Sequence, residues 1–218
     1  MNKRYKLFFI KYNHFFPPPI SSYIAFRGSI CNRVSLWQFV RFFLKRDKRI
    51  YWPVHPNSEI NCPDKIYVGI NTNAGTRPGC YIQGNGGVYL GNYVRFASNI
   101  GIISANHDVY DQNKHIGQGV HIGDYTWIGM GSIILPGVTL GPRTIVGAGS
   151  VVTKSFPDGF CIIAGNPAKL IKTLDKERFV PTKYRTEYFG FIAANKFSKF
   201  SKKHLKHNMY INSKLISD

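Results

Sequence analysis

Acidic residues are scarce in this sequence. Its 218 residues include 11 Asp and Glu against 29 Lys and Arg, which gives a formal net charge of +18. The excess lies at the two ends, because residues 1–51 hold eleven basic residues against one acidic, and residues 169–218 hold twelve against four. Residues 52–168 hold six of each. We therefore expect the ends to contact something anionic and the neutral middle to serve another purpose.

Cysteines and long apolar runs are also few. The four cysteines form no CxxC pair and have no zinc-ligand spacing; they are Cys31, Cys62, Cys80 and Cys161. This pattern predicts free thiols in a reducing compartment. No stretch approaches the ~20 apolar residues of a membrane span, and the early run LFFI is shorter than the ~7–15 residues of a signal-peptide core. The sequence predicts a cytoplasmic protein, with attachment at the inner face of the membrane as the alternative.

The sequence is rich in one feature, a six-residue repeat. From Val120 it reads VHIGDY, TWIGMG, SIILPG, VTLGPR, TIVGAG and SVVTKS. The third position is aliphatic and the fourth is mostly Gly, and the same phase extends upstream through Leu90, Phe96 and Ile102. A period of six matches neither a helix nor an alternating strand. It predicts a parallel β-helix, in which three hexads form one coil around the third-position side chains.

The repeat breaks at residues 103–117, ISANHDVYDQNKHIG. From Ile102 to Ile122 is twenty residues, two more than three hexads, and the residues between them are too polar to line the interior. We therefore expect a loop over residues 103–119 that leaves the coil. Because a β-helix has flat sides, a site needs such a loop and a neighbouring subunit to enclose it.

The stretch DYTWIGMGSIILPGVTLGPRTIVGAGSVVTKSFPDGFCIIAGNPAKLIK, residues 124–172, resembles the hallmark region of the hexapeptide-repeat acyltransferases. It is most similar to the branch that includes maltose, galactoside and capsular or O-antigen polysaccharide O-acetyltransferases, and the similarity extends over residues 52–174. The resemblance implies a mainly β fold, a left-handed parallel β-helix that is active as a homotrimer. It also implies acetyl-CoA as the acetyl donor and no metal.

In the family, a loop at this place carries the catalytic histidine, which the resemblance assigns to His107. A neutral imidazole can remove the proton of an attacking hydroxyl near neutral pH and return it to the departing thiolate. A carboxylate can fix the imidazole tautomer, and the candidates are Asp108 and Asp111. We interpret His115 as an ordinary loop residue, and we expect His121 to face outward from the coil.

The resemblance also implies a groove for acetyl-CoA. Small residues allow the pantetheine arm to approach closely, and lysines meet the phosphates. The implied residues are Ala148, Thr153, Lys154, Lys169 and Lys172. Trp127 precedes an interior Ile and therefore faces outward, against CoA or a neighbouring subunit. Met130, on the turn that follows, is counted as a further groove residue.

The basic ends are predicted to be helical. Ser35 can cap a helix over SLWQFVRFFLKRD, residues 35–47, which either covers the first coil or lies on an anionic membrane. The predicted organisation is a basic, aromatic-rich helical segment over residues 1–51, the β-helix over 52–168 and a basic helical tail over 169–218. No nucleic-acid module accompanies the charge, so the expected partner is an anionic membrane, a glycan or a lipid-linked glycan.

These observations favour an acetyl-CoA-dependent O-acetyltransferase that acts on a sugar hydroxyl in surface-polysaccharide (capsule or O-antigen) biosynthesis. Within that class, the alternative acceptor is serine, an amino sugar or a xenobiotic. Two alternatives come from other classes. One is a zinc lyase of carbonic-anhydrase type, with His107, His115 and His121 as ligands, and the other is a binding protein that acts through its charge.

Overall fold

The computed structural model of the protein describes residues 49–182 and 187–205. The helix expected over residues 35–47 lies outside these ranges, as does Cys31. Within them, no helix has both the length and the apolar character needed to cross a membrane.

The strands of the repeat region form three sheets, which we name face A, face B and face C. Face A contains β1 (Glu59–Asn61), β3 (Tyr81–Gln83), β6 (Gly101–Ile103), β11 (Ile133–Ile134) and β14 (Val151–Val152). Face B contains β2 (Ile66–Val68), β4 (Val88–Leu90), β9 (Val120–Ile122) and β12 (Thr139–Leu140). Face C contains β5 (Arg95–Phe96), β10 (Trp127–Ile128), β13 (Ile145–Val146), β15 (Cys161–Gly165) and β16 (Ala168–Thr173).

The chain passes repeatedly from face A to face B to face C, and the strands within each face are parallel except for β16. This winding is a parallel β-helix with three-sided coils. Strands paired across adjacent coils lie 18 residues apart where nothing is inserted, as in Ile128 with Val146 and Ile134 with Val152. Eighteen residues are three hexads, so the predicted coil is confirmed.

The third-position side chains fill the interior, as the repeat predicted. All six from Ile122 to Val152 are at most 1% exposed. The first-position side chains also point inward, and four of these are buried hydroxyl residues: Thr126, Ser132, Thr144 and Ser150. Their hydroxyls donate to the carbonyl oxygens of Gly141 and Gly147 at 2.6 to 3.4 Å, which offsets the cost of burying them.

The fourth-position glycines lie where one coil touches the next. A Cβ at Gly123 would lie 2.5 Å from the backbone nitrogen of Pro142, and one at Gly129 would lie 2.6 Å from that of Ala148. These positions therefore need Gly for space rather than for an unusual φ. The left-handed backbone occurs instead at the sixth position, where Tyr125 has φ 57° and Arg143 has φ 58°.

Two segments differ in form from the prediction. The expected loop is a β-hairpin, in which β7 (Ala105–His107) pairs antiparallel with β8 (His115–Gly117). The tail expected to be helical from residue 169 begins as β16, because Ala168–Thr173 pairs antiparallel with β15 and supplies hydrogen bonds to that edge of face C. In the described part of this tail, helix appears only in α1 (Ala194–His204), after β17 (Tyr188–Phe189) and β18 (Ile192–Ala193).

Helix α1 packs on the first coils through aromatic side chains. Phe197 is 6% exposed, stacks on Phe189 at 3.8 Å between ring centroids and contacts Tyr51 at 5.3 Å. Beside them, Trp52 is fully buried, and its indole N–H donates to the carbonyl oxygen of Ala74 at 3.1 Å. Burial of these rings is what holds the helix to the coil.

The cysteines in the described ranges are free thiols: Cys62, Cys80 and Cys161. Burial raises the pKa of the Cys80 and Cys161 thiols, so both remain protonated at neutral pH.

Candidate active site

The hairpin leaves the coil at the corner between faces A and B, which we name the AB corner. The side-chain carbonyl of Gln83 accepts hydrogen bonds from the backbone amides of Ser104 and Ala105 at 3.2 and 2.9 Å. The amide of Gln118 donates to the carbonyl oxygen of Ser104 at 2.8 Å on the returning side. Ser104 itself is fully buried. Hydrogen bonds to the coil therefore fix both ends of the hairpin where it leaves the AB corner.

His107 lies at the end of β7, and a backbone carbonyl fixes its tautomer. Its Nδ1 is 2.6 Å from the carbonyl oxygen of Gln112. Because a carbonyl oxygen only accepts, Nδ1 carries the hydrogen and Nε2 carries the lone pair. Across the hairpin, the ring of His115 lies 4.2 Å from that of His107, centroid to centroid, at an angle of 48°. Both imidazoles are exposed in the single chain.

Asp108 shapes the turn of the hairpin. Its Oδ1 accepts hydrogen bonds from the backbone amides of Tyr110 and Asp111, at 2.8 and 3.0 Å. The carboxylate of Asp111 lies 3.5 Å from the ammonium of Lys114. The acceptor on Nδ1 of His107 is thus a carbonyl and neither of the carboxylates that the sequence suggested. Successive side chains of a strand point to opposite sides, which separates the Asp108 side chain from the ring before it.

Apolar side chains cover the outer part of the hairpin without being buried. Val109 is 86% exposed, Tyr110 97% and Ile116 48%. A patch of this kind on a small projecting element suits contact with another surface.

Two of the predicted groove residues lie at the same AB corner as the hairpin. Thr153 and Lys154 follow β14 directly, and both are exposed. The preceding coil is tied to the same corner, because Leu135 donates its amide hydrogen to Val152 and Gly137 donates to Gln118.

The other predicted groove residues lie on face C or beyond it. Trp127, on β10, is 53% exposed and pairs in register with Ile145. Met130 is 57% exposed and lies at the corner between faces C and A, which we name the CA corner. Its backbone carbonyl accepts a hydrogen bond from the amide of Gly149, the residue after Ala148.

The two lysines of β16 lie near different corners. Lys169 pairs with Ala164, whereas Lys172 pairs with Ile162, nearer the corner between faces B and C, which we name the BC corner. Face A therefore separates His107 from Met130 and Ala148 within one chain.

Sequence reasoning missed the residues that position His107. Gln83 and Gln112 belong to no motif, and each contributes through one oxygen atom. His115 was interpreted as an ordinary loop residue, and only the pairing of β7 with β8 shows that it faces His107. Within residues 49–182 and 187–205, no three His, Cys, Asp or Glu side chains are grouped to hold a metal ion.

Part of the chain is similar to known proteins. Residues 114–154 match the family model described as bacterial transferase hexapeptide (six repeats). Over these residues, the repeat region resembles the hexapeptide-repeat transferases. Among curated relatives, Protein CapG of Staphylococcus aureus is 47% identical over 96 residues, which cover 40% of this chain and 54% of that protein. The chain spans about half the length of the curated relatives it matches.

Two solved structures share the fold. A galactoside acetyltransferase in complex with coenzyme A is 27% identical, with a TM-score of 0.54, and the match covers 62% of this chain and 70% of that one. A maltose O-acetyltransferase from Clostridium difficile 630 is 26% identical, with a TM-score of 0.51, over 78% of this chain and 89% of that one.

Proposed function

We propose that this protein is an acetyl-CoA-dependent O-acetyltransferase that transfers an acetyl group to a sugar hydroxyl, with His107 as the general base. The observation that carries the proposal is the bond from Nδ1 of His107 to the carbonyl of Gln112, which leaves the lone pair on Nε2. It occurs on a hairpin that projects from a hexapeptide-repeat coil. We also propose that the coil has the left-handed sense that the family resemblance implies.

The proposed reaction follows from that tautomer. Nε2 of His107 removes the proton of the acceptor hydroxyl as its oxygen attacks the carbonyl carbon of the thioester, because a neutral alcohol is a poor nucleophile. The tetrahedral intermediate then expels the CoA thiolate, and the C–S bond breaks. The proton on Nε2 passes to the thiolate sulfur, which regenerates the neutral imidazole. Throughout, the carbonyl of Gln112 accepts from Nδ1–H and holds the ring in one orientation.

We propose that the complete site is built by two subunits of a homotrimer. Face A separates His107 from Trp127, Met130 and Ala148 within one chain. A second subunit can bring its face C and CA corner against the hairpin of the first, which would cover Tyr110 and Trp127 together. In that arrangement, Trp127, Met130, Ala148 and Lys169 of one subunit line the acetyl-CoA groove, and Thr153 and Lys154 of the other complete it.

The proposed acceptor is a sugar, because two structural neighbours are named for galactoside and maltose acetylation. Surface-polysaccharide biosynthesis in the cytoplasm is the setting we propose. The basic ends would then contact a lipid-linked glycan or the anionic inner face of the membrane. For Asp108 the proposed role is to shape the turn that carries His107.

An acceptor screen with purified protein and labelled acetyl-CoA tests the proposal. We expect label on a sugar hydroxyl and none on serine, an amino sugar or a xenobiotic amine. In the same assay, His107→Ala should lower turnover by ~10²–10⁴, the range for loss of a general base, while acetyl-CoA still binds. Asn106→Ala, in the same strand, is the matched control and should keep most of the activity. Near-normal turnover of His107→Ala would remove this residue from the mechanism.

A further inference from the structure

Helix α1 carries charge of one sign. Its eleven residues, Ala194–His204, include four lysines and no acidic residue. The composition continues on both sides of the helix, because residues 188–217 hold six lysines in all and no Asp or Glu. The coil beside it has no such excess, since residues 52–168 hold six basic and six acidic residues. The helix therefore concentrates positive charge next to a neutral body.

The two sides of α1 differ in what they contact. On the inner side, Phe197 and Ser201 are buried, and the ring of Phe197 lies 5.9 Å from that of Tyr67 on face B, centroid to centroid. In the part of the chain that the structure describes, no carboxylate lies within 4.0 Å of a lysine of this helix. The outer side, which we name the lysine face, is exposed and carries Lys196, Lys199, Lys202 and Lys203.

Both basic ends of the chain join the fold at this helix. Tyr51 contacts Phe197 and Phe200 of α1, at 5.3 and 5.4 Å between ring centroids. Residues 1–46 precede this contact in sequence and hold nine basic residues and no acidic one. Residues 206–218 follow the same helix directly. The sequence has two separate basic segments, and the structure brings their points of attachment together beside the first coil.

The chemistry of the lysine face suits an extended anionic surface. Helix α1 has no arginine, and lysine ammonium groups are point charges without the planar fork that grips a single phosphate. The outside of a helix is also convex, whereas sites for small ligands are concave. Residues 1–48 add twelve aromatic residues to ten basic ones, a composition typical of segments that bind at an anionic membrane interface. These observations favour a lipid bilayer as the partner.

We propose that the lysine face of α1 docks on the surface of a membrane that contains anionic lipid. The inference rests on the membrane setting of the proposed function and identifies the surface that makes the contact. The negative surface potential of such a membrane attracts each lysine that comes close to it. The attraction weakens at high salt, because it acts over about one Debye length, ~8 Å at physiological ionic strength.

Co-sedimentation of the full chain with vesicles tests the inference, without acetyl-CoA or acceptor. The vesicles are phosphatidylcholine alone, or equal parts phosphatidylcholine and phosphatidylglycerol. We expect binding to the mixed vesicles only, and Lys199→Gln/Lys202→Gln should weaken it by at least about tenfold. The matched control is Lys176→Gln/Arg178→Gln, which removes two charges from exposed positions after β16 and should bind as the original protein does.

Two further variants sharpen the test. Lys199→Arg/Lys202→Arg keeps the charge and should keep the binding. Lys196→Gln/Lys203→Gln repeats the measurement at the other two lysines if the first double variant does not fold.

The inference is overturned if the protein binds both kinds of vesicle equally, if the Gln variants of α1 bind mixed vesicles normally, or if the control loses as much. Random-sequence duplex DNA is the second probe. If the α1 variants lose affinity for DNA and bind vesicles as before, the lysine face is a nucleic-acid surface and the inference is wrong.

Failure of the proposed function gives a different result. A protein that transfers no acetyl group to any acceptor can still bind anionic vesicles through α1. Conversely, an active acetyltransferase can fail to bind them. Because the vesicle assay contains neither substrate, the two conclusions are tested independently.

Discussion

The carbonyl group of Gln112 decides which nitrogen of His107 carries the hydrogen. Many general-base histidines are oriented by a carboxylate, which adds a negative charge beside the ring. Here the orienting group is neutral, and it belongs to the same hairpin. Orientation of the base therefore depends on the turn that Asp108 shapes, since Gln112 lies between β7 and β8.

His115 is expected to act as a positioning residue for His107. Its ring packs at 4.2 Å on an imidazole that is otherwise exposed, so its removal should widen the range of His107 orientations. We predict that His115→Ala lowers kcat on the order of tenfold and leaves KM for acetyl-CoA unchanged. His115→Phe, which keeps a flat ring, should recover most of the loss. Steady-state kinetics of the three proteins make the comparison.

Two results would contradict this role. A normal kcat in His115→Ala would show that the ring contact is incidental. A kcat in His115→Phe as low as in His115→Ala would show that the imidazole acts through its nitrogens rather than through packing.

At the scale of elements, the corners of the coil set the spacing between turns. The backbone of one coil approaches the fourth-position glycine of the coil before it so closely that a single methyl group has no room. Substitution there must push two coils apart, and interiors packed like this one resist such expansion.

We predict that Gly123→Ala lowers the free energy of unfolding by ~1–3 kcal/mol, the cost typical of overpacking. The matched control is Gly101→Ala on β6, where a Cβ would meet only the side chain of Ile133 at 3.5 Å, an ordinary contact. Urea denaturation followed by circular dichroism gives both values. Equal stability of the two variants would mean that the corner relaxes without cost.

At the scale of the whole molecule, the C-terminal segment returns from the last coil to the first. The hydroxyl of Tyr125 donates to the carbonyl of Thr182 at 3.3 Å, and that of Tyr93 donates to the carboxylate of Glu187 at 3.1 Å. Beyond them, α1 packs on Tyr51 and Tyr67 beside the first coils. The C-terminal residues that the structure describes therefore contact the BC corner at Tyr125 and at Tyr93.

We predict a trimer whose sites are shared between subunits. A His107→Ala chain retains its groove, and an Ala148→Trp chain retains its base but has a blocked groove. If two subunits form each site, random mixed trimers from equal amounts should regain about a quarter of the original activity. Refolding the two chains together from denaturant allows exchange, and light scattering gives the mass.

The control is the same two variants combined after each has folded separately, which should stay inactive if subunits exchange slowly. A refolded mixture as inactive as its components would place the whole site in one chain. A fully active monomer would exclude both the trimer and the shared site.

Much of the coil follows from local pattern, because a large side chain at every sixth residue can be buried only if successive coils stack. The third position predicted the buried residues from Leu90 to Val152, and the break after Ile102 predicted where the chain leaves the coil. Its form as a hairpin was not predictable, since neither Ala105–His107 nor His115–Gly117 has the alternation of a strand. Likewise, β16 forms because the edge of β15 is present to pair with it.

The sequence by itself thus determined the coil, its three-hexad turn and the place of the candidate base. Only the tertiary structure decided the tautomer of His107, the division of the groove residues between corners, and the path of the C-terminal segment. The reason is distance along the chain. Gln83 meets Ser104 across 21 residues and Tyr93 meets Glu187 across 94, and a period of six residues carries no information about such contacts.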